Sequence, residues 1–361
     1  MVCQGKRSAH RCVCRQPVPE LGVTGVVLCS QSPVVNLKLA EAFEPGPGGT
    51  FMVGESGWPE RLGEFIETLS AIERRDLLAS EVDEQGEANP WRAKPVEALL
   101  ARVRSPWLPR LLNASAKGDD PATGLRAHFQ PIVDTRRGTV YGFEALARAT
   151  LDGETMPAGP IIDAARAHDA MFQFDQLARQ AAIRQGWPQL LPGERLFINF
   201  APTVIYDPAV CLQSTWEAAE AVGCDPTSLV FEVVESEQFP DMNHLKRILD
   251  AYRDLGAQVA LDDLGSGHTA LHYIDELHPD LIKLDRNLLP RDPGRANLSL
   301  LRGLVDYAHG QGIRVLAEGV ETAAQYDMVR EVGIEYAQGW YFAKPTPTMS
   351  RELEAVGVAG G

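Results

Sequence analysis

The sequence predicts an α/β chain in which a TIM-like (β/α)8 barrel follows a smaller α/β region. Three observations carry this. Eight short apolar or β-branched runs recur at intervals of roughly thirty residues. Amphipathic stretches of helical length separate most of them, at 161–185, 245–255 and 298–309 for example. Most runs end in an acid, an amide or a lysine, at the C-terminal strand ends where a parallel barrel gathers its functional groups.

In chain order, His128-Phe129-Gln130-Pro131-Ile132-Val133-Asp134 is the opening run. Tyr141-Gly142-Phe143 leads into Glu144, Leu196-Phe197-Ile198 into Asn199, and Leu229-Val230-Phe231 into Glu232 and on to Glu235. Val259-Ala260-Leu261 ends in Asp262 and Asp263, and Leu281-Ile282 leads to Lys283 and Asp285. Arg314-Val315-Leu316-Ala317 reaches Glu318, and Tyr336-Ala337 reaches Gln338. Any one of these polar residues is more simply a solvated strand end. All of them together, each behind bulky apolar residues, is a pattern.

The adjacent acids Asp262 and Asp263 are the strongest single signal. They open a loop, Leu264-Gly265-Ser266-Gly267. Close like charges repel, so one acid must keep its proton or a cation must sit between them. This is the place to look for a divalent metal.

Composition sets bounds. The chain has 361 residues, enough for one barrel and a smaller domain, and a net charge of −15. That charge argues against a nucleic-acid polymer as partner, since no basic stripe is present to meet phosphates. No apolar run approaches the roughly 18–20 residues of a membrane span, and the N-terminus lacks the apolar core of a signal peptide. A soluble cytoplasmic protein is expected.

Residues 1–115 are expected to form a regulatory or dimerisation region, 116–123 a linker and 124–350 the barrel. Within the first part, 23–28 reads as a strand, 36–43 as a short helix, 44–49 as a loop and 60–79 as one amphipathic helix. A polar connection over 80–90 precedes helical pieces over 91–112, broken at Pro95, Pro106 and Pro109. Cys3, His10, Cys12 and Cys14 are the one chemical cluster there; their spacing departs from paired zinc-ligand motifs, so reduced, unbound thiols are favoured over a metal site.

Six blocks carry a resemblance. Phe129-Gln130-Pro131-Ile132-Val133-Asp134, Glu144-Ala145-Leu146-Ala147-Arg148 and Asp262-Asp263-Leu264-Gly265-Ser266-Gly267 resemble the EAL domain of bacterial cyclic di-GMP phosphodiesterases. Ile282-Lys283-Leu284-Asp285-Arg286, Ala317-Glu318-Gly319-Val320-Glu321-Thr322 and Gln338-Gly339-Trp340-Tyr341-Phe342-Ala343-Lys344-Pro345 continue it in the family's order. The match covers about 124–350. It implies hydrolysis of cyclic di-GMP to linear 5′-pGpG, and a homodimer formed through this domain.

Carried over residue by residue, the resemblance makes Glu144, Asn199, Glu232 and Asp262 ligands of one metal ion, and Asp262, Asp263 and Glu318 ligands of a second. Lys283 resembles the lysine that contacts the attacking water; taken alone, it could equally pair with Asp285 or another nearby acid. Arg148 resembles the arginine that reaches the substrate phosphate, Gln338 the glutamine that supports the site, and Gln130 and Asp285 further substrate contacts. Glu235 resembles the acid that holds the loop after Asp263, and Glu321 is a supporting acid of the same kind. The residue types agree independently: all-oxygen ligands suit two hard ions, Mg²⁺ or Mn²⁺, and disfavour zinc.

The sequence departs from the family at Leu264 and His268, where aromatics are usual, and over Ile161-Ile162-Asp163-Ala164-Ala165-Arg166. The first change is expected to loosen the loop's packing; no ligand position is lost. No diguanylate cyclase motif stands in the first region. An active phosphodiesterase is therefore favoured over a cyclic di-GMP receptor or a regulatory protein acting through partner contacts.

Overall fold

Val26 and Leu28 alternate along β1 (Gly25–Ser30) and are fully buried, the two-residue period that commits one strand face to a core. The computed structural model describes residues 17–18, 24–54, 56–82, 88, 93–118, 123–234, 241–264, 270–290 and 298–353. Cys3, His10, Cys12, Cys14, Trp91, Glu235, residues 265–269 and residues 119–122 of the expected linker lie outside them. The chain divides into two units: 1–124 with 159–174, and 125–158 with 175–361.

The first unit continues from β1 through α1 (Pro33–Ala42), β2 (Glu44–Pro45), β3 (Phe51–Gly54), α2 (Trp58–Glu67) and α3 (Ala71–Asp76). β4 (Leu77–Val82), β5 (Lys94–Pro95), α4 (Val96–Arg104) and α5 (Trp107–Lys117) follow. The sheet order is β2-β3-β1-β4-β5, with β1 antiparallel to both β3 and β4. The first four strands and their helices make a split β-α-β-β-α-β arrangement. Leu39, Val53, Leu62, Leu77 and Leu99 share its core.

The single helix expected over 60–79 is instead two helices and a strand. Ser70 and Glu73 cap each other reciprocally and restart the helix as α3. Leu77 and Ala79 are buried on alternate positions beside β1, so tertiary packing draws them into β4. Pro109 does not break α5. It sits in the first turn, where a missing N–H has no intrahelical partner to lose. Gly118, left-handed at φ 76°, ends that helix.

The second sheet is built from β6 (Gly124–Asp134), β7 (Thr139–Leu151), β8 (Glu154–Pro157), β9 (Arg195–Asn199) and β10 (Leu229–Val234). It continues with β11 (Gln258–Leu264), β12 (Leu281–Leu284), β13 (Arg314–Ala317) and β14 (Tyr336–Gln338). All eight expected runs are strands. The order is β6-β14-β13-β12-β11-β10-β9-β7-β8, and pairing of β6 with β7 closes the barrel. β8 is an extra hairpin strand on β7.

The expectation of a wholly parallel sheet is corrected at one strand. β6 runs antiparallel to β14. Residues 135–138 make a tight turn in which Asp134 Oδ1 accepts from the N–H groups of Arg136 and Arg137, and a tight turn reverses the chain where a helical crossover would not.

The intervening helices are α6 (Ala158–Ala167), α7 (Met171–Gly186), α8 (Pro208–Cys211), α9 (Gln213–Ala221) and α10 (Met242–Arg253). α11 (Ala270–Leu277), α12 (Ser299–Gly310) and α13 (Ala323–Val332) complete the set. The stretch expected as one helix over 161–185 is broken by Asp169, which is left-handed at φ 53°, a conformation Asp tolerates better than most residues. In the first unit, His168 Nε2 lies 3.1 Å from Arg102 O and 2.9 Å from Ser105 O, and Lys94 pairs with Asp169.

Candidate active site

Inside the barrel, one buried layer joins Ile132, Phe197, Val230, Ala260, Leu281, Leu316 and Tyr336, one residue from each of seven strands. Strand side chains repeat every two residues. Two positions further on therefore come Asn199, Glu232, Asp262, Lys283, Glu318 and Gln338, pointing the same way one layer higher. Because β6 is reversed, its residue at this rim comes two positions before Ile132, at Gln130, and not at the strand end. Glu144 comes from β7, opposite Phe197 of β9.

Lys283 is the hub. Its fully buried Nζ lies 2.7 Å from Glu318 Oε1, 3.0 Å from Glu232 Oε1, 3.0 Å from Asp262 Oδ1 and 3.7 Å from Glu144 Oε1. Of the alternative pairings, the one with nearby acids is seen, to Glu318, Glu232 and Asp262, and the one with Asp285 is not; the Asp285 carboxylate accepts from Asn287 N at 2.8 Å. Glu144 accepts from Asn199 Nδ2 at 2.8 Å on one oxygen and from Gln338 Nε2 at 2.7 Å on the other. Gln338 Nε2 also reaches Gln130 Oε1 at 3.1 Å, and Gln130 Nε2 donates to Ala343 O at 3.2 Å. Asp263 is left-handed at φ 58°, which turns consecutive acids toward one centre.

Two acid triads result. Glu144, Glu232 and Asp262 offer oxygens within 4.8 Å of one another, and so do Asp262, Asp263 and Glu318. Asp262 belongs to both. Burial raises Glu232 well above the carboxylate range, and the charges of Glu144, Asp262 and Glu318 add to it against Lys283. Burial likewise raises Asp262, lifts Asp263 to about 6 with help from the Asp262 charge, and lifts Glu318 to about 8 against the pull of Lys283. Glu144 goes the other way: burial would raise it, but Lys283 and the amides of Gln338 and Asn199 hold it low. Lys283 stays charged well above its ordinary value despite burial, held by the surrounding acids.

Five carboxylates share one ammonium in a buried place, and the raised acids ionise together only when further positive charge joins them. Glu232 is fully buried; its Oε1 meets the Lys283 ammonium at 3.0 Å, and its Oε2 accepts no hydrogen bond. A buried carboxylate oxygen without a donor, inside an all-oxygen set, fits a hard divalent cation.

A cavity of about 270 Å³ adjoins the triads, and Gln130, Glu144, Asp263, Asp285, Glu318 and Gln338 reach its wall. Glu321 lines it too, its carboxylate 3.5 Å from Arg286. Arg148 is half-buried on β7 and donates to Ala147 O at 2.8 Å, among the residues not found on that wall. Leu264 is fully buried and pairs with Leu284 of β12. Four wall residues were given no role from the sequence, Arg286, Gly319, Gly339 and Trp340. Trp340 is 60% exposed with Lys344 Nζ 5.0 Å over its ring. All four stand inside the quoted blocks beside residues that were given roles, and that adjacency was the available signal.

A family model described as the EAL domain matches residues 121–345. The chain belongs to the EAL domain family. Curated relatives include the probable cyclic di-GMP phosphodiesterases PdeG and PdeB of Escherichia coli K12. PdeG is 33% identical over 227 residues, 60% of this chain and 44% of that one. PdeB is 27% identical over 252 residues, 69% and 47%. The chain thus spans less than half the length of either.

Among solved structures, a standalone EAL protein from Vibrio cholerae in its c-di-GMP-bound form is 34% identical with a TM-score of 0.58, covering 63% of this chain and 94% of that one. The Xanthomonas citri FimX EAL domain in complex with c-diGMP is 25% identical with a TM-score of 0.61, covering 70% and 98%. Klebsiella pneumoniae BlrP1 is alike in fold over 89% of this chain and 96% of its own, at 22% identity and a TM-score of 0.57. Among the described residues, this EAL protein has no helix long and apolar enough to cross a membrane.

Proposed function

We propose that the barrel hydrolyses cyclic di-GMP to linear 5′-pGpG with two divalent cations, Mg²⁺ or Mn²⁺. The observation that carries this is the pair of acid triads sharing Asp262 beside an open cavity. Membership of the EAL family and relatives named as cyclic di-GMP phosphodiesterases support it. Glu144, Asn199, Glu232 and Asp262 would hold one ion, and Asp262, Asp263 and Glu318 the other. Bound there, the ions supply Lewis acidity and charge neutralisation for in-line attack by water on a phosphodiester.

The chain's own groups do the rest. The buried Lys283 ammonium, 2.7 to 3.0 Å from three acids, orients the attacking water and balances charge on the floor of the site. Attack at phosphorus breaks the P–O3′ bond, leaving a 5′-phosphate, and the proton given up by the attacking water is returned to the departing O3′. Gln338 anchors Glu144, with Gln130 fixing the Gln338 amide. Arg148, from the neighbouring stretch of β7, is assigned to the substrate phosphate, and Asp285 on the cavity wall to the substrate's donor groups. Homodimerisation through this domain is part of the reading.

Purified protein incubated with cyclic di-GMP and Mg²⁺ or Mn²⁺, with products separated by chromatography, tests it. Linear pGpG is expected. Tight binding without product would make the protein a receptor, and neither binding nor product would sink both readings.

A further inference from the structure

Among the described residues, Arg179 is the bulkiest of the fully buried side chains. Its Nε and Nη2 meet Asp175 Oδ2, one turn earlier on α7, at 2.9 and 2.8 Å, and Nη1 donates to Thr215 Oγ1 on α9. The other Asp175 oxygen, Oδ1, accepts from the Ala201 backbone N–H at 2.7 Å. Ala201 stands two residues past Asn199, where the chain leaves β9. Between them, Phe200 gives its N–H to Glu232 O at 3.1 Å and packs its ring on Tyr252 with centroids 5.1 Å apart. Both N–H groups that follow Asn199 are therefore tied down, one to the strand carrying Glu232 and one to Asp175.

A buried ion pair contributes little net stability compared with an apolar pair of the same shape. What an apolar pair cannot supply is an acceptor for Ala201 N–H. Arg179 and Thr215 hold the carboxylate so that one oxygen faces that donor.

We propose that Asp175, oriented by Arg179 and Thr215, is a positioning residue that fixes the backbone at Ala201 and so aims the Asn199 amide at the cation it shares with Glu144, Glu232 and Asp262; this rests on Asn199 being a ligand, as proposed above. Losing the tether lets the turn rotate and slackens the Asn199 Nδ2 bond to Glu144, now 2.8 Å. The expected cost is about 10–100-fold in cation affinity.

Two charge-balanced double variants isolate the acceptor. Asp175→Asn with Arg179→Met keeps an oxygen for Ala201; Asp175→Leu with Arg179→Met keeps the volume and removes the oxygen. Mn²⁺ titration of each full-length protein, read from the spectroscopic signal of free Mn²⁺, should give affinity within about threefold of wild type for the first, and about 10–100-fold weaker for the second. In an Asn199→Ala background the two pairs should bind alike. Equal affinities with Asn199 intact, or a difference that persists without it, would overturn the assignment. Asn199→Ala alone separates the two layers: unchanged Mn²⁺ binding would remove Asn199 as a ligand, whereas weakened binding with indistinguishable pairs would remove only the role of Asp175. Should the Leu–Met pair not fold, Ala201→Pro deletes the donor itself and carries the same expectation.

Discussion

Asp262 is central to the proposed chemistry because its carboxylate is common to both acid triads. It is also a cost to the fold, since burial raises its pKa and Glu144 adds a like charge nearby. Asp262→Asn should therefore lower hydrolysis by more than the about 10–100-fold of an outer-shell loss. Without metal, its melting temperature should equal or exceed that of the wild type. Product formation and calorimetry read the two halves, and near wild-type turnover would end the two-cation proposal. At this scale the strand-end residues were legible because a polar residue closing an apolar run is conspicuous. Asp175 and Arg179 were not. Four residues apart on a helix, they read as an ordinary exposed ion pair, and only packing shows that they are 5% and 1% exposed.

Elements fix where those residues point. The apolar layer and the polar rim are two residues apart on each strand, so the site's height was written into alternation once the strands were recognised. Gly339 shows how tightly the rim is built. A Cβ there would lie 2.0 Å from Val320 O and 2.4 Å from Val320 N, the same N–H that donates to Gln338 O at 3.0 Å. Gly339→Ala should break that bond, draw Gln338 away from Glu144 and cost about 1–3 kcal/mol of stability together with activity. Thermal unfolding beside the hydrolysis assay would show an unshifted melting point if the space were larger than this.

The turn between α6 and α7 makes a separate prediction. Burial, then the charge of Arg102, holds the His168 imidazole below its ordinary 6.5. The unfolded chain thus takes up this proton first as pH falls. The contribution is full above 6.5 and is lost as pH drops through the lower folded value. Melting temperatures between about pH 7 and 5 should fall more steeply for the wild type than for His168→Gln. Parallel slopes would show that His168 titrates as freely folded as unfolded.

For the whole molecule, residues 159–174 lie inside the family match yet group with the first unit. A fragment beginning at residue 124 keeps every candidate ligand but leaves His168 without Arg102 and Ser105, and Asp169 without Lys94. Its melting temperature should lie below that of the full chain, and an equal value would show that the barrel needs nothing from the first 123 residues. Strand–helix alternation, the polar strand ends and the acid pair were readable because each depends on neighbours within a few positions, where period and residue type act directly. The reversal of β6, the recruitment of 77–82 into a strand and the gathering of four acids on Lys283 were settled by tertiary structure. Each depends on partners distant in sequence, and packing free energy outweighs local preference wherever such partners meet.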